Sequence, residues 1–265
     1  MKFSMMTYTM ARQGTYGVED FVRTAAELKM DGIDWVTTYG RNPDDLKKLS
    51  ADAGLPVAAY TFFLSRLTQK QDGWLEEAKQ GIETAVRLGA PVVMVPTPGI
   101  KDVASREESR RIWVEALSKV AELAGPAGVV LSVENFPGKL SPFVTSADFH
   151  DAKRQIPSLK LTFDNGNAAT GEDPVASLRA CAGDIVHVHL KDWDRKDEPA
   201  DGFREMLDGR YYRPALIGEG VVDSRATLRE LERIGYDGYV NIEYENNKYP
   251  AAEGIRRVLE YLRSR

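Results

Sequence analysis

The chain is short of the residues on which several classes of protein depend. It has one cysteine and three histidines among 265 residues, and it has no long run of apolar side chains. A single cysteine excludes an intramolecular disulfide framework and suits a reducing compartment. No segment reaches the roughly 20 apolar residues of a membrane span, and the N-terminus lacks the apolar core of a signal peptide. We therefore expect a cytoplasmic protein with no membrane partner.

Basic charge is also scarce. The chain carries 35 Lys and Arg against 40 Asp and Glu, which gives a net charge of −5 at pH 7. A nucleic-acid binder neutralises phosphates with an excess or a strong patch of basic residues, so we expect no nucleic-acid partner. No GxGxxG run follows the first strand-like segment, and this absence argues against a dinucleotide-binding sheet.

What the sequence does contain is a regular alternation of strand-like and helix-like segments. Strands are expected at 2–9, 32–36, 56–62, 91–95, 128–133, 159–163, 184–190 and 239–244. Amphipathic segments predict helices at 18–29, 43–53, 73–88, 105–123, 145–155, 174–180, 227–234 and 251–264. This strict alternation predicts one α/β domain over residues 1–265. The expected fold is a single closed (β/α)8 TIM barrel with its site at the C-terminal ends of the strands.

The connections between these segments carry two further signals. The runs KMDGID from Lys29 and IGYDGY from Ile234 look alike, and LGA from Leu88 is related to them. Glycine after a helix suits the left-handed C-cap, so the same short turn is expected to recur around the barrel. Residues 191–220 form the one long irregular stretch, charged and rich in glycine. A structureless loop of that length predicts a functional element, such as a lid over a site.

Acidic or imidazole side chains end four consecutive strand-like runs in the second half of the chain. They are Glu134, Asp164, His189 and Glu243. Neighbouring barrel strands bring their C-terminal ends to one face, so these side chains are expected to converge. Three carboxylates and one imidazole suit one divalent cation, Mn²⁺ best, with Mg²⁺, Co²⁺ or Zn²⁺ also compatible. Glu243 is preferred over Glu245 as the fourth ligand because Glu245 lies farther out.

At these residues the chain resembles a known family. The runs VENFPG, LTFDNGNA, HVHLKDW, LIGEGVVD and GYDGYVNIEYE are similar to signature runs of the xylose isomerase-like TIM-barrel superfamily, and most similar to its sugar phosphate isomerase/epimerase branch. The resemblance covers essentially the whole chain and implies metal ligation by the same four residues. It also implies that Glu134 and Glu243 act as the catalytic acid/base pair, and that His187 and Lys191 line the substrate side.

Three further residues are candidates for substrate binding. Trp193 directly follows HLKD and is the first choice for an apolar wall against a sugar ring. Glu219, in a GEG run, is a candidate for binding a hydroxyl, although the run could equally be a tight turn. Asn167 stands where ketose 3-epimerases commonly place a histidine. An asparagine can hydrogen-bond a hydroxyl, but it cannot carry a proton at neutral pH.

The metal site and the resemblance together predict a metal-dependent isomerase or epimerase of a sugar, keto-sugar or sugar phosphate. It would act through a metal-stabilised enediolate, with carboxylates moving the proton. A lyase that dehydrates an inosose or a 3-keto-glycoside is the main alternative, because it shares that intermediate. A non-catalytic sugar-binding barrel and an AP-endonuclease-like hydrolase are weaker alternatives, and three histidines are too few for a trinuclear zinc cluster. The expected partner is a small-molecule carbohydrate, and the resemblance leaves a homodimer open.

Overall fold

The computed structural model describes residues 1–264. Its strands are β1 Lys2–Met6, β2 Gly32–Val36, β3 Val57–Thr61, β4 Val92–Val95, β5 Val130–Glu134, β6 Lys160–Asp164, β7 Ile185–Leu190, β8 Asp192–Lys196, β9 Arg204–Glu205, β10 Tyr211–Ala215 and β11 Tyr239–Ile242. The first seven strands and β11 close into a parallel barrel, in which β11 pairs with both β7 and β1. The predicted α/β barrel is therefore confirmed.

Helices surround this barrel. They are α1 Thr7–Ala11, α2 Val18–Glu27, α3 Pro43–Asp52, α4 Ser65–Thr68, α5 Trp74–Leu88, α6 Arg106–Ala127, α7 Ser146–Gln155, α8 Asn165–Ala168, α9 Pro174–Cys181, α10 Ser224–Arg233 and α11 Ala251–Arg263. Eight of them correspond to the predicted helices. The three short helices α1, α4 and α8 follow strand ends and were not expected from the sequence.

The first strand is shorter than its prediction of residues 2–9. It ends at Met6 because the side chain of Thr7 takes over the hydrogen bonds to β2. The Thr7 hydroxyl donates to Asp34 O at 3.0 Å and accepts from the backbone N–H of Val36 at 2.9 Å. A side-chain hydroxyl that competes with the backbone in this way favours a turn over a continued strand. The chain therefore bends into α1 at the C-terminal end of β1.

The predicted turns between helices and strands recur, with one difference. Gly89 and Gly235 have φ of 74° and 72°, the left-handed conformation expected after a helix. At the equivalent place after α2 the left-handed residue is Lys29, with φ of 53°. The prediction that glycine supplies this cap is wrong for the first turn. Gly32 serves close packing instead, because a Cβ there would lie 2.7 Å from the Tyr239 ring.

Apolar side chains of the strands and the surrounding helices form one main hydrophobic core, which runs from Met5 to Leu259. Among residues 1–264, no helix combines the length and the apolar character needed to cross a membrane. Many of the buried polar groups lie on the strands or directly after them. Buried polar and charged residues on or next to β2, β5, β6, β7 and β11 include Asp34, Glu134, Asp164, His189 and Glu243.

The prediction of a structureless loop at residues 191–220 is wrong. Strands β8, β10 and β9 form an antiparallel sheet in that order. Trp193, Met206, Tyr212 and Val222 build a small hydrophobic core of its own for this sheet. These apolar residues are separated by many charged ones, so no alternating pattern marks the strands in the sequence. Packing between distant residues, rather than local periodicity, orders the segment.

Asp192 ties this sheet to the segment that leads into α10. Its Oδ1 accepts from the backbone N–H groups of Trp193 at 2.8 Å and Val222 at 2.9 Å. Its Oδ2 accepts from those of Gly218 at 2.9 Å and Gly220 at 3.0 Å. The approach is so close that a Cβ on Gly220 would lie 2.4 Å from Oδ1. Four backbone donors thus satisfy both oxygens of a fully buried carboxylate.

Replacing Asp192 with asparagine is expected to lower the free energy of unfolding by about 3 kcal/mol, since hydrogen bonds to charged groups contribute ~1.5–3 kcal/mol each. The amide nitrogen is itself a donor, so one pair of backbone N–H groups loses its acceptor. Urea unfolding followed by circular dichroism measures the change. The control is Asp194→Asn, which removes only a half-exposed pair with Arg213 and should cost less than about 1 kcal/mol. Equal losses in the two variants would contradict the role of Asp192.

Candidate metal centre and substrate pocket

The four predicted ligands lie on barrel strands that are adjacent in the order β5, β6, β7 and β11. Glu134 and Asp164 are the last residues of their strands, His189 is the next to last of β7, and Glu243 directly follows β11. All four are buried. One donor atom from each lies within 4.8 Å of the others. The barrel therefore brings together groups that are far apart along the chain.

Hydrogen bonds position the members of this cluster. His189 Nδ1 is hydrogen-bonded to Glu134 Oε1 at 2.7 Å, and it lies 3.3 Å from Glu243 Oε2 without the geometry of a hydrogen bond. Asn135, which was not singled out from the sequence, joins β5 to β6. Its Nδ2 donates to Asp164 O, and its Oδ1 accepts from the Asp164 N–H, both at 2.8 Å. Its place directly after a ligand in the run VENFPG was the only signal for this role.

Two carboxylate oxygens of the cluster remain without a donor. Asp164 Oδ2 and Glu243 Oε2 are buried and have no hydrogen-bond partner among residues 1–264. An unpaired polar oxygen away from water is unfavourable, and a bound cation would satisfy both of these atoms. A donor set of carboxylate oxygens and one imidazole nitrogen is the set that a divalent transition metal accepts. The residues present therefore fit the predicted cofactor.

Lys191 sets the electrostatics of the cluster. Its Nζ lies 2.7 Å from Glu243 Oε1, 3.5 Å from Glu245 Oε2 and 3.9 Å from Asp164 Oδ2. Burial raises the pKa of Glu243, but Lys191 and His189 outweigh burial and hold this pKa at about 2. Burial also raises the pKa of Asp164, and there the more distant Lys191 offsets only part of the effect. One ammonium group therefore stabilises the charge of Glu243 more than that of Asp164.

His187 was predicted to line the substrate side, but it lies deeper in the barrel. Its Nε2 lies 2.5 Å from Asp34 Oδ2, which also accepts from Asn241 Nδ2 at 2.8 Å. Its ring packs edge-on to His189, with the centroids 5.3 Å apart. His187 and His189 do face the same way, as strand alternation requires. His187, however, sits two residues farther from the strand end and does not line the pocket described next.

A pocket of about 260 Å³ opens at the cluster, with Glu134, Glu243 and Glu245 in its lining. Lys191 and Trp193, two of the residues expected to contact a substrate, also line it, and that contact stays a prediction. Trp193 is fully buried, and the Lys191 Nζ lies 5.6 Å from the centre of its indole. Further lining residues were not predicted, and they include Met6, Val36, Met94, Phe136 and Arg204. Several of these lie at or just after strand ends, which is the signal that could have found them.

Asn167 and Glu219 do not line this pocket. Asn167 is fully buried in α8, where its side-chain nitrogen and oxygen both have no hydrogen-bond partner within residues 1–264. Glu219 lies in a different surface hollow and accepts from Lys248 Nζ at 2.6 Å and Tyr249 Oη at 3.3 Å. Its backbone N–H donates to Leu216 O at 2.8 Å. The GEG run is therefore a turn that directs Glu219 away from the predicted contact with substrate.

Several curated proteins are similar to this chain in sequence. An uncharacterized protein of Methanocaldococcus jannaschii is 31% identical over 198 residues, which are 71% of this chain and 62% of that protein. The L-ribulose-5-phosphate 3-epimerase UlaE of Escherichia coli is 27% identical over 194 residues, 72% of this chain and 63% of the relative. The inosose dehydratase of Clostridium beijerinckii is 24% identical over 252 residues, 86% and 83% of the two chains. The chain thus spans less than two thirds of the first two relatives.

Solved structures share the fold. The probable 3-DHS dehydratase AsbF of Bacillus anthracis superposes with a TM-score of 0.80 at 19% identity, over 100% of both chains. The IolI protein with a bound zinc atom superposes with a TM-score of 0.77 at 20% identity, over 98% of this chain and 96% of that one. The family model of the xylose isomerase-like TIM barrel matches residues 22–265. This match takes in nearly the whole barrel and all four clustered residues, and the chain belongs to the xylose isomerase-like TIM-barrel family.

Proposed function

We propose that this protein is a divalent-metal-dependent isomerase or epimerase of a sugar, keto-sugar or sugar phosphate. The observation that carries the proposal is the buried cluster of Glu134, Asp164, His189 and Glu243, which opens into a small pocket. Sugar epimerases among the similar proteins, such as UlaE, support the same substrate class. The volume of about 260 Å³ lies just below the ~300–1,000 Å³ of drug-sized sites and suits a compact carbohydrate.

Four side chains would hold the cation in this proposal, and two of them would also move the proton. When bound, the cation draws electrons from a carbonyl oxygen and makes the neighbouring C–H more acidic. Glu134 and Glu243 both line the pocket, and they come from β5 and from the end of β11, which are separated by two strands. One carboxylate takes the proton from the carbon next to the carbonyl. The other, which must carry a proton at the start of the reaction, gives it to the opposite face of the same carbon, and this yields an epimer. Return of the first proton to the former carbonyl carbon, with transfer of the neighbouring hydroxyl proton to the carbonyl oxygen, yields an isomer.

We propose Mn²⁺ as the metal, since carboxylate oxygens dominate the donor set and manganese accepts them together with an imidazole. Zn²⁺ is the competing choice, and the zinc atom of the structurally similar IolI protein favours it. Metal analysis of protein purified without added metal, followed by reconstitution with each ion, separates the two. The ion that restores the greatest activity at equal occupancy is the functional one.

A lyase is the second candidate, and two observations favour it. Asn167 cannot carry a proton at the position where ketose 3-epimerases commonly have a histidine, and in this structure it does not reach the pocket. An inosose dehydratase and a probable 3-DHS dehydratase are among the similar proteins. In a lyase the same carboxylates would remove the proton next to the carbonyl and protonate a departing β-hydroxyl.

Deuterium exchange distinguishes these reactions. Metal-reconstituted protein is incubated in D₂O with a panel of ketoses, inososes and 3-keto sugars, and products are followed by NMR and mass spectrometry. An isomerase or epimerase introduces deuterium next to the carbonyl and keeps the formula of the sugar, whereas a lyase releases water. Absence of exchange with every member, in protein shown to contain metal, would contradict both candidates and favour a non-catalytic sugar-binding barrel. Nicking of abasic DNA would support the hydrolase alternative.

A further inference from the structure

Charged residues from two elements line the pocket. The barrel contributes Glu134, Glu243 and Glu245 at the ends of its strands, and this part of the lining is called the barrel end of the pocket. Lys191 is the one cation that the described barrel residues add to the lining, and it pairs with Glu243 at 2.7 Å and with Glu245 at 3.5 Å. The second lining cation is Arg204, which comes from β9 of the small antiparallel sheet rather than from the barrel. An arginine from a separate element therefore faces a site whose other lining charges are carboxylates and one paired lysine.

Within the described residues, Arg204 has no salt-bridge or hydrogen-bond partner for its side chain, whereas three other cations in or beside this sheet are paired. Arg213 pairs with Asp194 at 2.7 Å, and Lys139 pairs with Glu205 at 2.5 Å. Arg210 lies 3.4 Å from Asp197. Across the part of the chain that the structure describes, no carboxylate lies within 4.0 Å of the Arg204 guanidinium. The same residues offer its side chain no hydrogen-bond acceptor. Its donors are therefore free for a molecule in the pocket.

The sheet holds Arg204 towards the pocket. Arg204 is opposite Tyr212 in the β9–β10 register, and Tyr212 packs edge-on to Trp193, with the ring centroids 6.3 Å apart. Met206 belongs to the same small core. The neighbouring residue Glu205 forms its own pair with Lys139. Because successive side chains of a strand point to opposite faces, Glu205 points towards its partner Lys139 and Arg204 points to the face that carries Tyr212 and Trp193.

Charge complementarity then fixes how a substrate would lie. The carboxylates of the barrel end repel a negatively charged group, while a guanidinium binds carboxylate or phosphate oxygens through two parallel hydrogen bonds. A neutral sugar would leave the charge of Arg204 unmatched. A substrate with its carbonyl at the barrel end and an anionic group at the far end would match both ends of the pocket.

We infer that Arg204 forms a subsite for an anionic oxygen group, a carboxylate or a phosphate, at the end of the substrate remote from the reacting carbonyl. Arg204 is in this inference a specificity-determining residue, and the inference rests on the proposed function for the identity of the carbonyl end. It narrows the substrate class from sugars in general to acidic sugars. Lys191 cannot fill this role, because its ammonium is already paired with Glu243 and Glu245.

The test is a comparison of matched ligand pairs by isothermal titration calorimetry on the metal-loaded full chain. D-ribulose 5-phosphate is compared with D-ribulose, and D-fructuronate with D-fructose. At least one anionic member should bind ~10- to 100-fold more tightly than its neutral partner, the value of one or two charged hydrogen bonds. The pair that shows the preference identifies the anion as phosphate or carboxylate. The preference should shrink as salt is raised.

Variants assign the preference to the arginine. Arg204→Met should bring the ratio of the two dissociation constants close to one, and Arg204→Lys should keep part of the preference as a point charge. Arg210→Met is the matched control, because it removes an arginine of the β9–β10 connection that lines a different cavity. It should keep the wild-type ratio. Arg204 is exposed, so circular dichroism and the melting temperature should be unchanged in both variants.

Two results would overturn the inference. One is a wild-type protein that binds the anionic and the neutral member of both pairs equally tightly, or that binds no sugar of the panel. The other is a preference that survives in Arg204→Met. The proposed function is judged separately by deuterium exchange. If neutral ketoses exchange deuterium and anionic sugars bind no more tightly than neutral ones, the proposed function stands and the anion subsite is wrong. If Arg204 gives a preference for anionic sugars but no sugar exchanges deuterium, the subsite stands and the proposed function is wrong.

Discussion

Replacing Glu134 with glutamine is expected to slow deuterium incorporation into the substrate by ~10²–10⁴-fold, the range of general acid–base catalysis. Glutamine keeps the shape of the side chain and an oxygen that can face His189 Nδ1, but it cannot take up a proton. NMR of the exchange reaction measures the rate, and elemental analysis at saturating metal shows whether the ion is retained. Glu243→Gln should behave alike, since both carboxylates line the pocket and belong to the cluster.

Glu245→Gln is the matched control for these two variants. Glu245 also lines the pocket and lies 3.5 Å from Lys191, but it is outside the four-residue cluster and its side chain is 20% exposed. Its rate should fall less than ~10-fold, as expected for a change in the charge around the site without loss of a proton carrier. If Glu134→Gln kept the full exchange rate with metal bound, Glu134 would have no role as acid or base.

Replacing Lys191 with methionine is expected to destabilise the metal-free protein by about 3 kcal/mol or more, because the variant leaves buried carboxylates without their cation. For a chain of this size the melting temperature would fall by roughly 6–12 °C. Lys191 is 5% exposed and lies within 4.0 Å of carboxylate oxygens from Asp164, Glu243 and Glu245. Saturating Mn²⁺ should restore most of the stability, because a dication then neutralises the same oxygens.

Calorimetric melting with and without Mn²⁺ measures both parts of this prediction. Lys248→Met serves as the control, since it removes a lysine from an exposed pair with Glu219 at 2.6 Å. Its loss should be below about 1 kcal/mol and should not depend on metal. Destabilisation of Lys191→Met that Mn²⁺ leaves unchanged would show that the lysine acts by packing against Trp193 and not by charge.

The barrel could be predicted from the sequence because the patterns that indicate its strands and its helices each lie within a short segment of the chain. Alternation of strand-like and helix-like segments placed all eight barrel strands, and the helices expected from residues 43 and 145 begin within one residue of those positions in the structure. The errors fall where a distant contact overrides a local pattern. Thr7 ends β1 through hydrogen bonds to β2, and Lys29 rather than a glycine adopts the left-handed turn.

Part of the candidate site could likewise be predicted from the sequence, and part of it could not. Four residues at the ends of adjacent strands converge because barrel closure leaves them no other arrangement. The family resemblance put His187 on the substrate side and suggested Asn167, and the GEG run suggested Glu219. None of these three lines the pocket. Alternation gives the face of a strand on which a residue lies, but it does not give its depth or the direction of a following turn. The predictions of a homodimer and of a cytoplasmic protein remain predictions.

By itself, the sequence determined the barrel and the set of four residues that meet at the C-terminal ends of its strands. Hydrophobic periodicity and the order of strands are properties of short segments, and a closed parallel barrel converts that order directly into position. Only the tertiary structure decided what surrounds the cluster. Residues 191–220 fold into a sheet through contacts of Trp193 with Met206, Tyr212 and Val222, and this sheet brings Arg204 to the pocket. Such contacts join side chains distant in sequence, so no local pattern records them.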